Sequence, residues 1–97
     1  MAILIDPPIW PGRGRLWSHL VSDVSYDELH AFASRLGMPP RAFDRDHYDV
    51  PSGTHAAALA LGAQAVGCQE LLMRLTRAGL RRRKPAGARP RRGTTTP

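Results

Sequence analysis

Ser18-His19-Leu20-Val21-Ser22-Asp23-Val24-Ser25-Tyr26-Asp27-Glu28-Leu29 passes from an extended run straight into a capped helix. Residues 18–24 read as a strand. Ser25, followed three residues later by Glu28, forms a capping box, in which the hydroxyl and the carboxylate satisfy two of the free N–H groups at a helix start. Tyr26, Leu29, Ala33 and Leu36 then recur at spacings of 3 and 4, which predicts a helix over about 26–36. Gly37 supplies the stop, and Pro39-Pro40 prevent continuation.

Working outward, the same alternation continues. Ala2-Ile3-Leu4-Ile5 is a short apolar run with the pattern of a buried strand, ended by Asp6. Residues 7–17 form a long loop rich in Pro and Gly; its two Trp argue against disorder, because indoles are unfavourable in water. His47-Tyr48-Asp49-Val50 reads as a third strand stopped by Pro51. Residues 55–62 read as an Ala/Leu helix ended by Gly62, and 65–67 as a last, very short strand. Leu71, Leu72, Leu75 and Ala78 line a final helix that stops at Gly79. The order predicts an α/β fold: a small three- to four-stranded, mostly parallel sheet with right-handed crossovers and about three helices. The first connection carries no helix, so that pair is also compatible with antiparallel pairing. Leu4, Leu29, Phe32, Leu36, Leu71, Leu72 and Leu75 are the expected core.

Charge divides the 97 residues in two. Residues 1–73 hold 5 Arg against 8 acids, a net of −3, whereas residues 74–97 hold 8 Arg and 1 Lys with no acid, a net of +9. The high isoelectric point therefore describes a tail. We expect a compact domain over 1–80 and a disordered Arg/Pro/Gly-rich tail over 81–97, a composition that cannot bury a core. No run of 18 apolar residues exists, which excludes a membrane-spanning helix from the sequence. Cys68 is alone, which excludes a disulfide framework and a thiolate zinc site. No secretory signal is visible, so a cytoplasmic location is the expectation.

Several segments together resemble one family. They are Asp6-Pro7-Pro8, Trp10-Pro11 and Gly14-Arg15-Leu16-Trp17-Ser18-His19-Leu20-Val21-Ser22-Asp23, then Glu28-Leu29-His30-Ala31-Phe32-Ala33, Phe43, Asp46-His47-Tyr48-Asp49-Val50-Pro51, Gly62-Ala63 and Glu70-Leu71. The chain is similar, over residues 2 to about 82, to a bacterial and phage domain-of-unknown-function family, number 4031 in that series. The resemblance implies a small stand-alone domain and carries over no activity.

The chemistry must then be read from the polar residues. Asp6, Asp23 and Asp49 sit in or at the ends of three different strands, and a parallel sheet would bring them together at its carboxyl edge. His47 and Asp49 share a strand face, as do His19, Val21 and Asp23. Asp6, His19, Asp23, His47 and Asp49 are the candidate catalytic residues, with Asp6, His47 and Asp49 the candidate metal ligands. Carboxylates and imidazoles suit a divalent metal such as Mg²⁺, Mn²⁺ or Zn²⁺, which could activate water for phosphoester or nucleotide hydrolysis. Local capping, turn formation and mutual pairing are the alternative roles for the same residues. Arg13 and Arg15, beside Gly12 and Gly14, are candidate contacts to a phosphate-bearing small molecule, with Trp10 and Trp17 as stacking partners. Arg74, Arg77, Arg81, Arg82, Arg83 and Lys84 are candidate nucleic-acid contacts, and without an aromatic among them they would be sequence-tolerant. No nucleophile elbow, His-Glu-x-x-His or P-loop is present. The residues leave two readings open: a metal-dependent hydrolase, or a non-catalytic phosphate- or nucleic-acid-binding module.

Overall fold

The computed structural model describes residues 2–83. In chain order the elements are β1 (Ile3–Ile5), β2 (Trp10–Gly12), β3 (Arg15–Ser22), α1 (Tyr26–Leu36), β4 (Phe43–Asp44), β5 (His47–Pro51), α2 (His55–Leu61), β6 (Gln64–Ala65) and α3 (Cys68–Arg77). Helix α1 begins and ends as its sequence requires. The Ser25 hydroxyl accepts the Glu28 N–H at 3.0 Å, and Gly37 closes the helix in the left-handed region at φ 87°.

The fold is α/β, but the sheet has six strands and is mixed rather than mostly parallel. The order β4-β5-β3-β1-β6 runs across it, with β2 paired to β3. Only β1 and β6 are parallel among the described pairings; β1–β3, β2–β3, β3–β5 and β4–β5 are antiparallel. Two short hairpins cause the departure. The Pro/Gly-rich segment is not a loop: β2 folds back on β3 through Arg13-Gly14, both with positive φ (49° and 76°), as a two-residue hairpin turn demands. Likewise Phe43-Asp44 reverses through Arg45-Asp46, with Arg45 at φ 59°, so β5 arrives antiparallel to β3. Each β4 or β2 strand is only two or three residues long and lacks a periodic signal of its own.

Two apolar layers enclose the sheet. On one face Ile3, Ile5, Leu20, Tyr48 and Val50 pack with Leu29, Phe32 and Ala33 of α1 and Ala58 of α2. On the other, Leu4 and Val21 pack with Leu71 and Leu75 of α3. Strand β1 is covered on both sides, which is why it reads as an unbroken apolar run. The expected core is found at Leu4, Leu29, Phe32, Leu71 and Leu75, with Leu36 half-buried. Leu72 is a correction: it is 44% exposed, because Leu71 and Leu75 occupy the seam of α3 and Leu72 lies beside it. The body also extends past residue 80. Arg81 and Arg82 make specific contacts with it, whereas residues 84–97 of the expected tail lie outside the described residues. Among the described residues no helix is long and apolar enough to cross a membrane.

Candidate metal centre

Three adjacent strands present polar side chains on the face that α3 covers only in part. The register pairs His19 of β3 directly with Asp49 of β5, while the backbone N–H of Asp6, just past β1, donates to the His19 carbonyl at 3.2 Å. His47 lies two residues before Asp49 and so shares its face. One nitrogen from each of His19 and His47 and one Asp49 oxygen all lie within 4.8 Å of one another, and the two imidazole rings meet edge to face with centroids 5.0 Å apart.

A buried carboxylate backs each histidine. Asp6, 1% exposed, accepts three N–H groups: the His19 backbone at 2.6 Å, His19 Nδ1 at 2.8 Å and Trp10 Nε1 at 3.0 Å. Burial alone would raise its pKa, but the His19 and Trp10 hydrogen bonds outweigh it and hold the carboxyl below the usual range. Asp46, fully buried, does the same for His47. Its Oδ1 lies 2.8 Å from His47 Nδ1, and its Oδ2 accepts the Arg82 backbone N–H at 2.8 Å. Here too burial is outweighed, by the His47 and Arg82 bonds, and the pKa is lowered. An ionised carboxylate can only accept, so each histidine carries a proton on Nδ1 toward the acid behind it, and His47 carries a second on Nε2 toward Asp49, which a metal ion would have to displace. This is the arrangement by which proteins orient metal-binding imidazoles.

The outward edge is rich in electrons. His47 Nε2 lies 3.1 Å from Asp49 Oδ1, close to the separation of about 3.3 Å between two ligands bound at 2.0–2.1 Å in a tetrahedral site. With Asp49 on one side and Asp46 on the other, His47 holds a proton more tightly than an ordinary imidazole despite the opposing effect of burial. The His47 hydrogen bond leads the causes that lower the Asp49 pKa. Three carboxylates thus surround two imidazoles, and this edge favours positive charge, whether the His47 proton or a metal ion in its place.

The cluster opens on two clefts. The larger, about 920 Å³, is lined by His19 and Asp49 with Trp10, Arg13, Trp17 and Arg41. The smaller, about 380 Å³, is lined by Asp6, Asp46, His47, Cys68, Leu72 and Arg81. Trp10 stands at the junction, its ring 5.1 Å from that of His19. Trp17 is pinned through Nε1 to the Gly12 carbonyl at 2.8 Å, with the Arg13 and Arg15 guanidinium groups each 5.7 Å from its ring. A Cβ on Gly12 would come within 3.3 Å of that indole, so glycine suits the position.

The structure therefore brings His19, His47 and Asp49 together and places Asp6 behind His19, with both oxygens already engaged. Asp23 is elsewhere. In an antiparallel pair the end of β3 meets the start of β1, so Asp23 accepts the Ala2 N–H at 2.7 Å and pairs with Arg74 at 2.7 Å, away from the cluster. Only a parallel sheet would have gathered all three acids. Of the basic residues, Arg74 is held by Asp23 and Glu70, and Arg81 and Arg82 face Asp46, while Arg77 and Arg83 are exposed. Lys84 lies outside the described residues. Among the described residues, the Ser18 hydroxyl, buried on the opposite face, has no hydrogen-bond partner. Asp46 is the site residue that sequence reasoning missed; an acid directly preceding His47 at a tight turn was the available signal.

The pattern of the family described as "Protein of unknown function (DUF4031)" matches residues 3–78. The chain belongs to this family. The match spans every strand and helix of the body and all members of the His/Asp cluster. No curated protein and no solved structure matches the chain significantly.

Proposed function

We propose that the domain is a divalent-metal-dependent hydrolase of phosphoesters, with His19, His47 and Asp49 as the metal ligands. The observation that carries this reading is the pair of imidazoles, each held through Nδ1 by a buried carboxylate, with one nitrogen of each within 4.8 Å of the same Asp49 oxygen. Three protein ligands with an open side are the pattern of a catalytic rather than a structural zinc site. A divalent ion there would lower the pKa of bound water and polarise a phosphoryl oxygen.

The chain's own residues supply the rest. Asp6 and Asp46 hold the imidazoles in the ligating tautomer. Asp49, 42% exposed, marks the side from which substrate enters. Arg13 and Arg41 line the same cleft and can hold the non-bridging phosphate oxygens, which places phosphorus for attack by water and loss of the ester alkoxide. Trp10 offers a partly exposed ring against His19 on which a base or other flat leaving group can rest.

The test is calorimetric titration of the full-length protein with Zn²⁺ and with Mn²⁺, followed by assay of bis(4-nitrophenyl) phosphate and 4-nitrophenyl phosphate. The reading expects one ion per chain, ester cleavage that depends on it, and loss of both in His19→Ala and Asp49→Ala. A wild-type protein that binds no ion sinks the proposal. Ion binding with no turnover of either ester would assign the cluster to a non-catalytic phosphate-binding module instead.

A further inference from the structure

The two histidines are backed by unequal means. Asp6, just past β1, is held by Trp10 of β2 and His19 of β3, within about a dozen residues of it in the chain. Asp46 sits on a two-residue turn, and its outer oxygen is held from a segment 35 or more residues away. Arg82 N–H donates to Asp46 Oδ2 at 2.8 Å, and Arg81 Nη1 reaches the same oxygen at 3.4 Å. The turn itself is clasped as well, since Arg82 Nη1 donates to the Arg45 carbonyl at 3.3 Å.

The segment that delivers these groups is anchored independently. Leu80 packs against the apolar cluster beneath α3, and its N–H returns to the Leu75 carbonyl. The Tyr26 hydroxyl donates to the Leu80 carbonyl, and the Arg82 guanidinium lies 4.0 Å above the Tyr26 ring. Residues 80–82 therefore run as a strap from the end of α3, across the start of α1, to the back of the metal cluster. They lie past the family match, which ends at 78.

We propose that Leu80–Arg82 is a positioning strap: by holding Asp46 Oδ2 it leaves Oδ1 for His47 Nδ1 and so fixes His47 as a ligand. Asp46 and Arg81 are positioning residues, acting on the metal through His47. Two donors on one oxygen of a fully buried carboxylate, with the imidazole on the other, leave that carboxylate a single orientation. Outer partners of this kind alter metal affinity about 10–100-fold. Arg81 and Arg82 are on this account engaged by the protein, and are not free phosphate contacts. The effect on metal affinity rests on the metal reading above; the effect on the His47 ring does not.

The experiment uses full-length Asp46→Asn, Arg81→Ala and Arg81→Lys. Zn²⁺ alone is titrated by calorimetry, and the His47 Nδ1–H resonance of the metal-free protein is followed by NMR. Far-UV circular dichroism checks the fold. Asp46→Asn is expected to weaken Zn²⁺ binding about 10–100-fold and move the Nδ1–H resonance upfield, since the carboxylate that deshields it is gone. Arg81→Ala should give a smaller loss, up to about fivefold, which Arg81→Lys restores because a single charged contact is involved. If Asp46→Asn fails to fold, the Arg81 pair decides. Wild-type affinity together with an unmoved Nδ1–H resonance in the variants overturns the strap. Should wild-type protein bind no Zn²⁺, the hydrolase reading falls, yet a displaced resonance in the variants still supports the strap and an unmoved one refutes it.

Discussion

The face of the sheet beneath α3 has two halves with opposite chemistry. One half, Leu4 and Val21 under Leu71 and Leu75, is dry and apolar and stabilises the fold. The other, reached by moving along the same strands, carries Asp6, His19, His47 and Asp49. A β-strand offers one residue in two to each face, so β3 can set Val21 under the helix and His19 beyond its cover two residues apart. The lesson is that a ten-residue helix laid across this face shields only part of it, and the uncovered part can hold charges that a full cover would make untenable.

The halves should separate cleanly under mutation. The largest loss of stability belongs to the apolar half: Leu75→Ala should cost about 2–5 kcal/mol in chemical denaturation, because it opens a cavity against Leu4 and Val21. A cost below about 1 kcal/mol would mean that α3 is not what closes this face.

Next comes the boundary. Asp6→Ala strands Trp10 Nε1 and two N–H groups of His19, so it should lose about 1–3 kcal/mol and also weaken Zn²⁺ binding. Unchanged Zn²⁺ affinity in that variant would break the link between the buried acid and the site.

Asp23, on the apolar side, offers a pH-dependent comparison. Burial opposes its ionised form, but the Arg74 and Ala2 N–H bonds prevail and hold its carboxyl below the usual carboxylate range. A carboxyl with a lowered folded pKa adds stability above its unfolded pKa and loses it as the pH falls through the folded one. Asp23→Asn should therefore cost on the order of 1 kcal/mol near neutrality and converge on wild type as the pH falls through the lowered folded pKa. Parallel stability curves throughout that fall would rule the ion pair out as a contributor.

The smallest effect on stability is expected at the open rim. Asp49→Ala should change the denaturation midpoint little, within about 0.5 kcal/mol, while abolishing ion binding. A large loss of stability there would show that the His47–Asp49 pair is structural and that the polar half is built for the fold.

Much of this was readable in local pattern. The capping box at Ser25, the glycine stops at Gly37 and Gly62, the helices and the two-sided β1 all follow from interactions within a few residues. Alternation also showed that His47 and Asp49 share one strand face, and His19 and Asp23 another, within the candidate set of Asp6, His19, Asp23, His47 and Asp49; that His19 meets His47 and Asp49 was decided by the β3–β5 pairing. What escaped was set by pairing. Strands β2 and β4 are too short to show a period, and their turns rest on Arg13 and Arg45 adopting positive φ, a conformation that neither residue type advertises.

The amino-acid order by itself determined the helices, the strands with enough length to alternate, the split of charge along the chain and the family. It determined these because caps, periodicity and composition act over short distances. Only the tertiary structure decided that the sheet is mixed, that Asp23 leaves the cluster for Arg74, and that Asp6 and Asp46 stand behind the two imidazoles. It alone also brought Arg81 and Arg82 back to Asp46. Those choices depend on which strand lies beside which and in which direction, and chain direction is set by two-residue turns whose effect is felt far from where they occur.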